Sequence, residues 1–554
     1  MPIEWREQGR QLHLYNERIS YIMRVLETGT LGHLYFGPRL ATERDYGHFL
    51  RESYVDRFNQ VLDPIPVEMP TPGRGDFRVP GLAVRHADGS IVLDLVYREH
   101  TVSAGKPVLD GLPSTYVEDP AEAETVEVLL VDGNSNLQVR LLATIYRDYP
   151  VVTRSMRVVN DGVGDVKLTT SMSAVLDLPD PDWHLVQLAG DWARETHIVD
   201  APLVTGTRAL RSQRGSSGHQ QNPFLLLRRP STTEATGEAI GMSLVYSGNV
   251  LAEVAVDPAD TVRARIGMDP ETIRWRVAPG MDLQIPEAVL VWSDEGVGGV
   301  SDAYHRLYRE RLATGQWRDE PRPVVLNSWE GVYYDFDEDA LVEMARASAE
   351  LGAELFVLDD GWFGQRDDDT SALADWDVDR RKYPDGLDPL IDHVKSCGMT
   401  FGLWFEPEMI NPDSDTFRAH PDWALGAEDQ IPGRHQQALD MSRKDVRDYL
   451  FARISAILSA HDIEYIKWDH NRVLPTPEAA QTRGTYKLLD RLLAAHPDVE
   501  IESCASGGGR IDFGVLELSH RVWLSDSNDA LERLRIQHDA ALFLPLSVTG
   551  SHVG

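Results

Sequence analysis

EYIKWDHNR, Glu464 to Arg472, begins as a buried strand and ends within two residues in charge. Tyr465 and Ile466 suit a core, whereas Lys467, Asp469 and Arg472 do not. Side chains alternate across a strand, so the spacing puts Tyr465, Lys467 and Asp469 on one face and Ile466 and Trp468 on the other. Two opposite charges sharing a face at the carboxyl end of an apolar strand mark a candidate site. An ammonium beside a carboxylate keeps it ionised, as a nucleophile must be. A structural ion pair at a strand end is the competing reading.

Outward from this stretch the chain alternates. From Val324, strand-like VVLNSWE, ELFVLDDGW, MTFGLWFEPEM, IEYIKWDHN, VEIESCASGGG and RVWLSDSND are each followed by a helical piece, from DEDALVEMARASAELG to DALERLRIQHDAALFL. This pattern predicts parallel strands in a β/α fold. Polar residues decide between an open sheet and a closed barrel. They stand at the end of nearly every strand: Asn327 and Trp329, Asp359 and Asp360, Glu406, Asp469, Cys504, Asp526. A barrel builds its site from all its strand ends, an open sheet chiefly from a switch point. A (β/α)8-type (TIM) barrel is therefore expected over residues 322–554. About six of eight units are visible, and LSVTGSHVG falls where a seventh strand begins. The barrel is thus expected to be incomplete at the C-terminus, with open edges that need covering.

Residues 1–295 read differently. VLLVDGNSNLQVRLLATIYRDYPVVTRSMRVVNDG, from Val128, consists of short β-rich runs separated by Asn, Asp and Gly, and MSLVYSGNVLAEVAVD and TVRARIGM repeat the texture. An N-terminal antiparallel β-sandwich is expected, with one short helix near Asp56 to Leu62. Over residues 296–321 the period changes to about 3.6. Tyr304, Leu307, Tyr308 and Leu312 share a face there, which predicts a linker helix. RGSSGHQQNPF (Arg214 to Phe224) and HLVQLAGDW (His184 to Trp192) read either as loops on a site rim or as surface turns with a solvated His219.

A chain of 554 residues exceeds one core, so a multidomain protein is expected. Its formal charge of −34 opposes nucleic acid and anionic membranes as partners. No apolar h-region or membrane-length run is visible, and the two cysteines, Cys397 and Cys504, make no disulfide framework. A soluble, cytoplasmic protein is expected.

Asp526 follows Val522 and Trp523 at the end of its strand. With Asp469 it supplies the two carboxylates that glycosyl transfer to water requires, one attacking or activating, the other protonating the leaving oxygen. Capping of the following helix is the alternative role for Asp526. Asp359 and Asp360 can both reach the cleft only if their strand has already ended, which Gly361 favours; they suit sugar hydroxyls better than a metal. Trp404 and Glu406 share a face opposite Phe405, and Glu406 and Glu408 are rival acids. The three glycines of ESCASGGGR suit close backbone approach to a compact substrate. Cys504 has no histidine partner that would make it a nucleophile.

Together, FVLDDGWFG, GLWFEPEM, GRHQQALDMSR, EYIKWDHNR, ESCASGGGRID and WLSDSND resemble the retaining α-galactosidases of glycoside hydrolase family 36, and RGSSGHQQNPF and PEAVLVWSDEG extend the likeness over nearly the whole chain. The resemblance implies retaining hydrolysis of terminal α-D-galactosyl residues in sugars such as melibiose or raffinose. Asp469 would be the nucleophile and Asp526 the acid and base. Lys467, Asp359 and Asp360 would bind galactose hydroxyls, with Arg434 on the sugar and Trp404 in its platform. Trp329 would line the entrance, and Cys504 and Gly507 would crowd the 2-position. No metal or organic cofactor is implied, and a homo-oligomer, a tetramer, is. Three departures stand out: SDSND in place of SDN(T/S)D, His470 where Met is frequent, which would alter the pocket wall, and the absence of the family's last barrel strands and C-terminal domain. A galactosyl transferase and an inactive, truncated sugar-binding homologue are the alternative functions.

Overall fold

Alternation along the strands of the first half gives antiparallel sheets. Ala123–Asp132, Leu137–Tyr146 and Val151–Asn160 pair in sequence order; Val128, Leu130, Val139 and Leu141 are buried, and the residues between them stay partly exposed. Asn136 closes the first turn at φ +57°, a conformation its short polar side chain tolerates. In the computed structural model, which describes residues 2–50, 65–476 and 478–553, this half forms a four-stranded, a six-stranded and a ten-stranded sheet. The two larger sheets pack on each other, Gln221–Arg228 against Val250–Val256 and Ala239–Val245 against Val262–Met268. The helix expected near Asp56 to Leu62 lies outside the described residues.

The change of period produces a helix, Gly296–Arg311, that buries Val300, Ala303, Tyr304, Leu307 and Tyr308. Tyr304 donates to Val289 O (3.0 Å), and Tyr308 stacks on Phe513. Gly241 makes this seating feasible, since a Cβ there would lie 2.7 Å from the Tyr304 ring. The helix thus joins the ten-stranded sheet to the second half of the chain through aromatic packing.

From Val325–Asn327 the strands of the barrel sheet are parallel. Leu355–Leu358, Thr400–Phe405, Tyr465–Trp468, Glu500–Ser503 and Arg521–Trp523 add in order, each to the one before. Between them run helices Glu338–Glu350, Asp388–Ser396, Lys444–Ala460, Ala479–Ala495 and Phe513–Leu518, and Ala530–Ala540 follows the sixth strand. Asp337, Asp512 and Asp529 cap three of these helices with their side chains. Inside the barrel Arg521 grips Glu500 at 2.7 and 2.8 Å, and Arg322 meets the same carboxylate at 3.0 Å. These buried charges are matched within the interior, as burial demands.

The expected open edges are joined in a way the sequence did not suggest. Thr549–Gly550 pairs with the sixth strand and His552–Val553 with the first, so residues 549–553 touch both sides of the gap. His552 stacks on Trp523 at 3.9 Å, and Arg533 and Gln537 both donate to Ser551 Oγ. Among the described residues no helix is long and apolar enough to cross a membrane.

Candidate active site

The fourth strand ends at Trp468, but the ladder continues for one more bond, from Asp469 N to Phe405 O (2.8 Å). The carboxylate is therefore set on rigid backbone at the strand's carboxyl end. Asp469 is 7% exposed. Its Oδ1 accepts from His470 N (2.8 Å) and Ser506 N (3.3 Å), and its Oδ2 from Asn471 Nδ2 (2.6 Å) and Trp404 Nε1 (3.2 Å). Burial opposes ionisation here. The charges of Lys467 and Arg434, with hydrogen bonds from Asn471 and Cys504, outweigh it and hold the carboxyl below its ordinary range. Lys467 lies 3.0 Å from Asp359 Oδ2. Burial disfavours its ammonium too, but Asp359 foremost, then the other nearby acids, raise its pKa well above the usual value.

Asp526 follows the sixth strand. Its Oδ1 accepts from Trp523 Nε1 and its Oδ2 from Trp192 Nε1, both at 3.0 Å. The capping role goes to Asp529, which accepts from Leu531 N and Glu532 N, so Asp526 is left to the cleft.

One loop touches both acids. Ser506 N donates to Asp469, while a Cβ on Gly507, whose φ is +74°, would stand 2.8 Å from Asp526 N. The glycines thus serve close approach, and the loop's outward amides are used by the protein's own carboxylates, Gly508 N donating to Glu195 Oε1 at 3.3 Å. The RGSSGHQQNPF loop of the sheet half clamps it from behind. His219 Nε2 donates to Ser506 O (2.6 Å), Gly218 N to Gly509 O (2.7 Å), and Ser217 Oγ to Asp512 (2.9 Å). His219 is therefore engaged, not merely solvated.

The other expected residues fall around this centre in unequal ways. Asp359 and Asp360 follow a strand that stops at Leu358, with Gly361 at φ +107°, as the reading required. Asp359 binds Asn327 (2.7 Å) and Lys467, whereas Asp360, 3% exposed, is held by Arg366 at 2.5 and 2.8 Å and by Tyr334 Oη at 2.9 Å. Trp404 is 1% exposed; its ring lies parallel to Phe363 and its N–H meets Asp469, so it is far less open than a platform would be. Trp329 starts a short turn of helix and packs edge-on to Tyr333 and Tyr334. Arg434 sits in an exposed loop at φ +50°, where its charge acts on Glu406, Asp469 and Asp360. Cys504 is buried, and burial pushes its thiol up, which removes it as a nucleophile. His470 is buried in the field of Glu408 and Arg510. Asn471, Arg366 and Tyr334 were not singled out from sequence; only Asn471 carried a signal, its place two residues after Asp469.

The rival acids separate. Glu408 is bound by Arg510 and Thr485 at 2.8 Å and Trp468 Nε1 at 2.9 Å; despite burial, the charges of Arg510 and then His470, with the bonds from Trp468 and Arg510, hold it at about 2. Glu406 accepts from Gln436 Nε2 (2.6 Å) and Asn471 N (2.5 Å), and burial, then the charge of Asp469, pushes it up to about 7. The folded carboxyl therefore keeps its proton to about pH 7, the unfolded one only to the usual value near 4.5. Between these values the native state binds the extra proton, so stability falls as pH rises, by on the order of 3 kcal/mol across the window. Glu406→Gln should flatten that dependence in urea unfolding from pH 5 to 8; an unchanged slope would place the titrating group elsewhere.

The Melibiase family model matches residues 282–554, and the model of the glycosyl hydrolase family 36 N-terminal domain matches residues 29–278. Alpha-galactosidase AgaA of Geobacillus stearothermophilus is 43% identical over 575 residues, spanning 100% of this chain and 79% of that protein. Alpha-galactosidase 1 of Pediococcus pentosaceus is 40% identical over 578 residues, spanning 99% and 78%. The crystal structure of GH36 alpha-galactosidase AgaB from Geobacillus stearothermophilus has a TM-score of 0.95 at 43% identity, covering 100% of this chain and 79% of that one. With relatives this similar over this length, the chain belongs to the α-galactosidases of glycosyl hydrolase family 36.

Proposed function

We propose that the chain hydrolyses terminal α-D-galactosides by double displacement, with Asp469 as nucleophile and Asp526 as acid and then base. The observation that carries this reading is the 504–507 loop, whose Ser506 amide binds Asp469 while Gly507 abuts Asp526. Two carboxylates of unequal environment thereby flank one small space. Asp469, ionised beside Lys467 and Arg434, attacks the anomeric carbon as Asp526 protonates the leaving oxygen. Asp526 then takes a proton from water, which displaces Asp469 and restores the α configuration. Positive charge builds on the sugar in both steps and is offset by the fixed carboxylates. Neither step as proposed draws on a metal or organic cofactor.

In this reading Asp359, Asp360 and Lys467 meet the galactose hydroxyls, Arg434 flanks the ring, and Trp404 stands behind Asp469 with its N–H on that carboxylate. Cys504 and Gly507 leave room for a hydroxyl at the 2-position but not an acetamido group, and Trp329 stands at the entrance. Solved structures of substituted variants of the Geobacillus enzyme AgaA hold raffinose in one case and stachyose in another, which supports raffinose-type oligosaccharides as substrates here, with melibiose proposed on the same terminal galactose. A cytoplasmic homo-oligomer is also proposed, on the family resemblance and two free cysteines. Hydrolysis of an aryl α-galactoside followed by NMR tests the central reading. Galactose should appear first as the α anomer; β-galactose first, or a folded chain without activity, would overturn it.

A further inference from the structure

Asp359 and Asp360 follow the second barrel strand, Glu406 the third and Asp469 the fourth, and all four carboxyls are buried. Among the described residues, three cations serve them. Lys467 pairs with Asp359, and Arg366 holds Asp360 by two bonds. That leaves the Arg434 guanidinium to act on both Asp469 and Glu406. His470, which also faces Asp469, has its imidazole pKa lowered by burial and adds no charge. Two like charges buried in one small space oppose each other, so one of these last two carboxyls holds a proton.

Asp469 is the better anion of the two. Four N–H donors reach its two oxygens, and the Lys467 charge favours it as well. Glu406 accepts at Oε1 from Asn471 N (2.5 Å) and Gln436 Nε2 (2.6 Å). Arg366, the other cation that feels Glu406, is already engaged by Asp360. The proton therefore falls to Glu406, the direction in which burial and the Asp469 charge also push it. Gln436 has a place for that proton. Its buried Oε1 has no donor among the described residues, and turning the amide over brings this oxygen to the 2.6 Å contact with Glu406.

Asn471 joins the two acids. Its backbone N–H bonds Glu406, its side-chain amide donates to Asp469 Oδ2 (2.6 Å), and its Oδ1 accepts from Ser506 Oγ (3.0 Å). From this arrangement we infer that Glu406 is a positioning residue for the nucleophile: as a neutral carboxyl it anchors the Asn471 backbone and leaves the Asn471 amide and Arg434 to Asp469. An ionised Glu406 competes for both partners, since each favours its charged form, and repels Asp469 across the same small space. Glycosyl transfer to Asp469 therefore slows as Glu406 loses its proton. The inference rests on Asp469 being the nucleophile of the proposed mechanism.

α-Galactosyl fluoride isolates this effect, because fluoride leaves without a proton and the titration of Asp526 does not enter its first step. With Glu406 titrating at about 7, wild-type kcat/KM on the fluoride should fall about tenfold between pH 6 and pH 8. Glu406→Gln keeps a neutral side chain and an oxygen for Asn471 N. It should match the wild type at pH 6 within about threefold and stay flat to pH 8. Glu406→Ala releases Asn471 and should lose about tenfold or more in kcat at every pH with little change in KM; adding Asn471→Ala should cost little more. An alkaline fall that survives in Glu406→Gln would overturn the inference, as would a flat wild-type profile over this range. Asp469→Ala measured beside them keeps the two readings apart. If that variant retains fluoride activity, the nucleophile is misassigned; if it is inactive and Glu406→Gln titrates like the wild type, only the role of Glu406 fails.

Discussion

Asp469→Ala should lower kcat on an aryl α-galactoside by on the order of 10⁴-fold or more while changing KM far less. Neither rival acid of the GLWFEPEM motif can take over. Glu408 is consumed by Arg510, and Glu406 keeps its proton to about pH 7 while bound to Gln436 and Asn471. Removal of the carboxylate strands four hydrogen-bond donors, so Asp469→Asn, which preserves shape and most contacts, belongs beside the alanine variant as the control for folding. Azide added to Asp469→Ala can occupy the vacated space and attack in its place, and should yield β-galactosyl azide from an activated substrate. If Asp469→Ala keeps most of its kcat, the nucleophile lies elsewhere.

Asp526→Ala carries the second largest expected effect, about 10²–10⁴-fold, and the loss depends on the leaving group. Melibiose and raffinose, whose leaving oxygens need a proton, should lose the full amount. An activated aryl galactoside needs little help in its first step and should accumulate as glycosyl-enzyme, seen as a burst. Azide then intercepts that intermediate from the face water normally uses and gives α-galactosyl azide. The two azide products thus assign the two carboxylates independently: an exchange of anomers between the variants would reverse the roles of Asp469 and Asp526. Uniform loss across leaving groups would deny Asp526 the acid's part altogether.

The strand ends were the readable part of the site. EYIKWD announces an apolar strand by its alternation and a candidate site by the two charges that break it; in the fold Lys467 pairs with Asp359 and its charge acts on Asp469. FVLDDG was readable for a similar reason, since Gly361 stops the strand before both aspartates. What could not be read was which acid pairs with which cation. Glu406 and Glu408 lie two residues apart on one motif, yet Arg510 neutralises one, while the other has Asp469 as its neighbour. Those partners come from distant elements, and no local period encodes them.

The sequence by itself determined the order and kind of elements, because alternation of period 2 and period 3.6 is a local property written residue by residue. It also marked which strand ends are candidates for chemistry, since charge after an apolar run needs no partner to be noticed. Tertiary structure alone decided the rest. It placed Trp192 on Asp526 and His219 behind Ser506, across 334 and 287 residues of chain. It made residues 549–553 pair with both the first and the sixth strand. The physical reason is common to all three: hydrogen bonds and electrostatic fields act through space at a few ångströms, and only the folded chain says which residues share that space.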